Sequence, residues 1–167
     1  PNAVLGQFMR VELDTRLGTV RMFHQIVFSV RYLGGSGGGH IYEFELRPWI
    51  WALNRRVNSR IFHDMNVADI IQQVCADYSS GYTADLKVTG DAVMPILEYV
   101  VQYRETDLDF VRRLMEEYGL NFHCEMMEAG HTIVLTTGSA GFTQAEGGDR
   151  SCTMRSEAQT RAEENFS

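Results

Sequence analysis

Five histidines, three cysteines and a group of acids are the residues of this 167-residue chain that could do chemistry. His24, His40, His63, His123 and His131 are scattered, and none stands from another ligand type at a metal-binding spacing such as His-Glu-x-x-His. His123 and Cys124 are neighbours, so on a strand they point to opposite faces and cannot chelate together. His63-Asp64 could work as an acid–base pair, but its place just before a capped helix gives it a turn role without chemistry. A hydrolase of the elbow type needs a nucleophile on a sharp strand-to-helix turn, and no Gly-x-Ser-x-Gly stretch is present. The run Gly34-Gly35-Ser36-Gly37-Gly38-Gly39 could cradle phosphate, yet no Lys-Ser/Thr follows it and a strand pattern does. It reads as a hairpin tip. Glu105, Asp107 and Asp109 gather where a helix opens, and negative charge stabilises that end. Trp49, Trp51, Tyr99 and Tyr103 could stack sugars or bases, although core or subunit-interface burial is the commoner use of such side chains. The expectation is therefore no catalytic, cofactor-binding or metal-binding residue, and no cofactor.

The elements that must position these groups are mostly strands. Residues 8–13 alternate, with Met9, Val11 and Leu13 on one face, and 20–33 alternate for longer. Leu17-Gly18-Thr19 is the turn expected between them. His40 to Leu46 resumes the pattern, so 20–46 predicts a long hairpin with a glycine-rich loop. Residues 47–60 read as a junction in which Pro48 ends a strand and two tryptophans need burial. Asn66 then caps a helix whose stripe is Val67, Ile70, Ile71, Val74 and Tyr78, with Gly81 beyond its end. Residues 82–97 predict a short strand or a loop with Pro95 at a boundary. Residues 98–104 predict a strand with Tyr99, Val101 and Tyr103 on one side. Thr106 caps a second helix with Leu108, Val111, Leu114, Met115 and Tyr118 inward, stopped by Gly119. Two more strands follow, 120–124 and 131–137, around a turn near Glu128-Ala129-Gly130. Residues 138–167 turn polar and read as a linker or mobile tail.

Composition narrows the class. Hydrophobic residues make up 44%, which excludes wholesale disorder, and the length suits one domain or two small ones. No run of about 18 uncharged apolar residues exists, so no transmembrane helix is expected. There is no signal-peptide pattern, and an opening Pro1 without Met suggests a fragment or processed product. Cys75, Cys124 and Cys152 are odd in number and far apart, as reduced thiols would be. The net charge of −7 is uneven: residues 1–63 hold eight Arg against four acids, residues 64–167 seven bases against eighteen acids. Such a chain is a poor candidate for binding nucleic acid. Glu116-Glu117 oppose the dipole of the second helix, a pointer to an Arg-bearing partner surface.

Two segments carry a resemblance. The first is 44–63, Phe-Glu-Leu-Arg-Pro-Trp-Ile-Trp-Ala-Leu-Asn-Arg-Arg-Val-Asn-Ser-Arg-Ile-Phe-His, continuing into Met65 to Ile71. The second is 101–119, Val-Gln-Tyr-Arg-Glu-Thr-Asp-Leu-Asp-Phe-Val-Arg-Arg-Leu-Met-Glu-Glu-Tyr-Gly. Both resemble the VgrG spike proteins of the type VI secretion system, which are similar to the tail-hub and late-control proteins of contractile phages. The match covers about residues 5–137. The resemblance implies a β-rich α+β fold of tail-hub-like β-barrel domains with two marginal α-helices. It divides the chain into 1–60, part of a first hub barrel; 61–97, a helical connector; 98–137, part of a second barrel; and 138–167, a linker or divergent tail. It implies a homotrimeric structural protein, not an enzyme, that caps the hexameric Hcp tube and helps deliver effector or adaptor proteins. The target-cell envelope is met only by the whole spike. It implies residence in the bacterial cytoplasm before firing and secretion by the apparatus afterwards. Trp49, Trp51, Arg112 and Arg113 are the expected subunit-interface residues, being of the types interfaces favour. The rival readings are a phage or tailocin hub, a cell-wall glycan-binding module, and a cell-wall hydrolase.

Overall fold

The structure, a computed structural model, describes residues 4–14, 18, 20–78, 85–128 and 130–142. The flanks of the expected turn at 17–19, the end expected at Gly81 and the tail from 143 onward lie outside these residues. Strands β1 (Phe8–Asp14) and β2 (Val20–Ser36) pair antiparallel, with Phe8 opposite Ile26 and Asp14 opposite Val20. β3 (Gly39–Arg47) returns along β2, with Ser36 opposite Gly39. The expected hairpin is present, but its strands take in most of the glycine run. Gly37 and Gly38 alone connect them, with φ of 60° and 89°, the double positive φ that a two-residue type I′ turn needs. The register slips between Val27 and Ser29 and again between Tyr32 and Gly34, which leaves Phe28 and Leu33 as extra, bulged residues.

Pro48 ends β3, and a 3-10 helix (Trp49–Arg55) buries Trp49, Ile50 and Leu53. The next strand is where the structure departs from the sequence pattern. Residues 57–66 form β4 (Val57–Asn66), the first part of which the sequence pattern assigns to a junction. Its inward positions begin Asn58, Arg60 and Phe62, so two of three are polar and the usual alternation signal is inverted. Helix α1 (Val67–Ala76) starts at Asn66, whose side chain accepts the Asp69 N–H at 2.9 Å. After β5 (Asp85–Gly90) and β6 (Ile96–Thr106), helix α2 (Asp107–Tyr118) starts at Thr106, whose hydroxyl oxygen accepts the Asp109 N–H at 3.0 Å, and Gly119 closes it. β7 (Leu120–Met127), β8 (Gly130–Thr137) and a short 3-10 turn (Ser139–Gly141) follow.

Three sheets result: β1-β2-β3, β4-β6, and β5-β8-β7. In the third, β5 runs parallel to β8 and β7 antiparallel to it. At the end of β5 a Cβ on Gly90 would lie 1.8 Å from the Thr137 carbonyl oxygen, so only glycine lets the strands approach there. The β-rich α+β class stands. The sheets are open and not closed into barrels, because two or three strands cannot complete the stagger a closed cylinder requires. One hydrophobic cluster extends from Ile26 to Leu135. Both helices line it: α1 with Val67, Ile70, Ile71 and Val74, α2 with Leu108, Phe110, Val111 and Leu114. The Phe62 and Phe110 rings stack in it, centroids 5.5 Å apart and 12° from coplanar.

Candidate interaction surface

The residue types that could do chemistry are kept apart. Among the described residues no three of His, Cys, Asp or Glu come together as a metal site. The Cys75 thiol is buried beside Asp107 and Asp77, and burial first, then their charge, pushes its pKa up to about 12. Burial pushes Cys124 up to about 11. Both thiols are protonated at neutral pH, the opposite of an activated nucleophile. His63 sets its ring edge-on against Tyr99 at 5.1 Å, and His40 Nδ1 lies 3.1 Å from the Tyr32 hydroxyl. Buried His131 serves the fold: its Nε2 accepts the Trp49 backbone N–H at 2.9 Å, fixing the start of the 3-10 helix. Burial lowers its pKa, so the ring is neutral and can accept.

The strongest electrostatic feature is Asp107. Its side chain is fully buried at the first position of α2. Oδ1 accepts from Arg60 at 2.6 Å, from Gln102 at 2.8 Å and from Asn58 at 3.1 Å. Oδ2 accepts from the Tyr78 hydroxyl at 2.7 Å and from Arg56 Nε at 2.8 Å. Asp77 takes a second hydrogen bond from each arginine, at 2.6 Å from Arg56 and 2.8 Å from Arg60. Burial alone would raise the Asp107 pKa; the donors outweigh it and hold the carboxyl below its ordinary value. Tyr78 is pushed up, by burial and by donating to Asp107. This node ties β4, β6 and the end of α1 to the start of α2. The sequence pattern assigns Asp107 to the helix start and does not reveal its partners. The available signal is Arg56, Asn58 and Arg60 at every second position, with Gln102 at the matching place on β6.

Beside Asp107 the inner face of the β4–β6 ribbon is polar, and the outer face carries apolar side chains. Val57 is 61% exposed, Ile61 54%, Tyr99 56% and Tyr103 65%. A strand pair with one polar face normally turns that face to water, so this inversion makes the outer face a candidate contact surface. The β2–β3 hairpin beyond the bulge at Phe28 likewise exposes Tyr32, Leu33, Ile41, Tyr42 and Phe44.

The four expected interface residues separate. Trp49 is wholly inside the core, so its ring already packs within the chain. Trp51 is half-buried and lies under the Arg47 guanidinium, 4.2 Å from its ring centre. Arg113 holds Glu105 at 2.7 Å and donates to the Val101 carbonyl at 3.0 Å, on the open edge of β6. Arg112 is exposed, with Glu116 3.8 Å away.

Comparison with known proteins agrees with this architecture. The chain belongs to the phage tail baseplate hub family, which matches over residues 1–167. It is 38% identical over 135 residues to the type VI secretion system spike protein VgrG1c of Pseudomonas aeruginosa, covering 81% of this chain and 18% of that protein. VgrG1b of the same organism is 37% identical over 135 residues, with the same coverage. The chain thus spans about a fifth of the length of the curated relatives it matches. Among solved structures, an E. coli type VI secretion component, described as similar to the phage T4 tail proteins gp27 and gp5, superposes with a TM-score of 0.77 at 25% identity. That match covers 86% of this chain and 40% of the other.

Proposed function

We propose that the chain is a segment of the hub of a VgrG-type spike, a mechanical part of a contractile secretion apparatus and not an enzyme. The observation that carries this is the 38% identity to a named spike protein across 81% of the chain, supported by the superposition on a type VI component. In this reading 1–60 and 98–137 contribute to two hub domains, joined by 61–97. Three copies form the ring, and that ring caps the hexameric Hcp tube. It delivers effector or adaptor proteins and waits in the cytoplasm until the apparatus fires. The physical support is the combination of a sealed core and unsealed faces. A part that transmits thrust needs a node such as Asp107 to lock helix to sheet, and apolar faces to meet neighbouring chains. Trp51 and Arg112 remain the interface residues with surface to offer, and Arg113 serves through its hold on the edge of β6.

The experiment is an in-frame deletion of the codons for 8–137 at the native locus, with Hcp release into the medium as readout. Release falls to background if the segment is part of the spike. Undiminished release, with the deleted product present, overturns the reading.

A further inference from the structure

Among the described residues, ion pairs engage Arg10, Arg31, Arg47, Arg56, Arg60, Arg112 and Arg113. Arg21, Arg55 and Arg104 have no carboxylate of the described residues within ion-pair distance and lie instead over Phe23, Phe28 and Tyr103. Of these three, Arg55 lines a cavity. That cavity has about 270 Å³ and is walled by Leu5, Ile26, Val27, Pro48 and Ala52. Its floor is polar-satisfied: Val27 donates its N–H to the Gln7 carbonyl and accepts from Gly6, both at 2.9 Å. The apolar walls therefore need no water to complete hydrogen bonds at that point. The guanidinium of Arg55 stands 4.4 Å over the Phe28 ring, and Arg47 lies over the same ring at 5.4 Å and over Trp51 at 4.2 Å. Trp51, Arg47, Phe28 and Arg55 form one ladder. In that ladder Arg47 is neutralised by Glu45, which accepts from its Nε at 2.6 Å, and the end member Arg55 is not.

We propose that this cavity docks a peptide segment of a partner protein that presents a large apolar side chain beside a carboxylate. The apolar side chain enters between Pro48 and Val27, and the carboxylate takes two N–H groups of the Arg55 fork, whose plane the Phe28 ring already holds. Phe28 is the extra residue of the bulge in β2, and its ring lies beneath the guanidinium. Two guanidinium groups, those of Arg47 and Arg55, stand over the Phe28 ring against the single described carboxylate of Glu45, and this local excess of positive charge favours an acidic segment. The proposal rests on the spike reading for the existence of protein partners. Binding of a peptide and release of Hcp are read separately, so either can fail alone.

The test is fluorescence anisotropy of the 167-residue chain with four labelled hexapeptides. These are Gly-Ser-Phe-Asp-Ser-Gly and the versions with Asn for Asp, Lys for Asp, or Ala for Phe. The Phe-Asp peptide should bind about fivefold more tightly than Phe-Asn, the size of one exposed charge-assisted pair, and Lys should bind worst. In Arg55→Gln the Asp-to-Asn ratio should fall to about one while the preference for Phe over Ala stays. In Ala52→Leu both preferences should weaken, with melting curves confirming that each variant folds. Equal binding of Asp and Asn peptides, an unchanged ratio in Arg55→Gln, or no binding up to millimolar peptide overturns the proposal. So does a concentration-dependent dimer in sedimentation that Arg55→Gln dissolves, since a second copy would then fill the cavity.

Discussion

The first sheet and the helix-backed remainder use the same alternating pattern to opposite ends. β8 buries every residue from His131 to Thr137, whereas β1 buries none, and β2 and β3 together bury only Ile26 and Val27 among their described residues. The difference lies in what covers them. β8 runs centrally between β5 and β7 in a sheet whose inner face meets both helices, while β1–β3 have no helix of their own. Alternation therefore reports that a strand has two unlike faces; it does not report that the apolar one is covered within the same chain. In the proposed spike, the faces left open in β1–β3 and on the outside of β4–β6 are where other chains or other segments would meet this one.

Substitutions can break this comparison. The largest effect is expected in the helix-backed half: Phe110→Ala removes a stacked, fully buried ring and should cost about 4 kcal/mol in urea unfolding. Next comes Asp107→Ala, at about 3 kcal/mol, because it strands the Asn58 amide, takes one acceptor from Gln102 and leaves Asp77 as the one carboxylate holding Arg56 and Arg60. A loss under about 1 kcal/mol at either position would show that the core is not where stability resides.

Acid should act on the same half, in two windows. His131 has a folded pKa below its ordinary 6.5, so the unfolded chain binds the proton more readily. Stability is then complete above about pH 6.5 and declines as pH falls below it. Asp107 has a folded pKa below 3.8, so its contribution is present above that value and is lost as pH falls through the folded pKa. Melting temperature against pH in wild type and in His131→Asn separates the two: the variant should lose the upper step and keep the lower. The smallest effect is expected in the open sheet, where Tyr42→Ser should change stability by less than about 0.5 kcal/mol, since the ring is half exposed. If Tyr42→Ser nevertheless lowers the mass of the assembled full-length protein, the open face is an interface; if mass is unchanged, the face serves something else.

Much of this is legible in the residues. The caps Asn66 and Thr106, the inward stripes of α1 and α2 and the stop at Gly119 rest on local rules, and local rules do not depend on distant partners. What the residues hide shares one cause. β4 escapes the alternation rule because its inward residues answer to Asp107, 47 positions from Arg60 in sequence, and not to water. The parallel pairing of β5 with β8 leaves no local mark either. The four residues expected at an interface differ in exposure: Trp51 and Arg112 keep exposed area, while Trp49 has none, since residue type alone cannot tell core from surface.

That parallel pair also governs how the chain must come together in time. Asp85 meets Thr132 and Gly90 meets Thr137, so the partners are 47 residues apart. Between them lie β6, α2 and β7, all of which have to be threaded before the last strand can slot in. The β2–β3 hairpin, closed by two glycines, can zip within microseconds of leaving the ribosome. β5 must wait with both edges unpaired until β8 is made, and loop-closure entropy opposes the encounter. Synthesis order thus becomes a physical variable: a pause before the codon for Gly130 prolongs the lifetime of a lone strand edge, the species most prone to pair with the wrong chain.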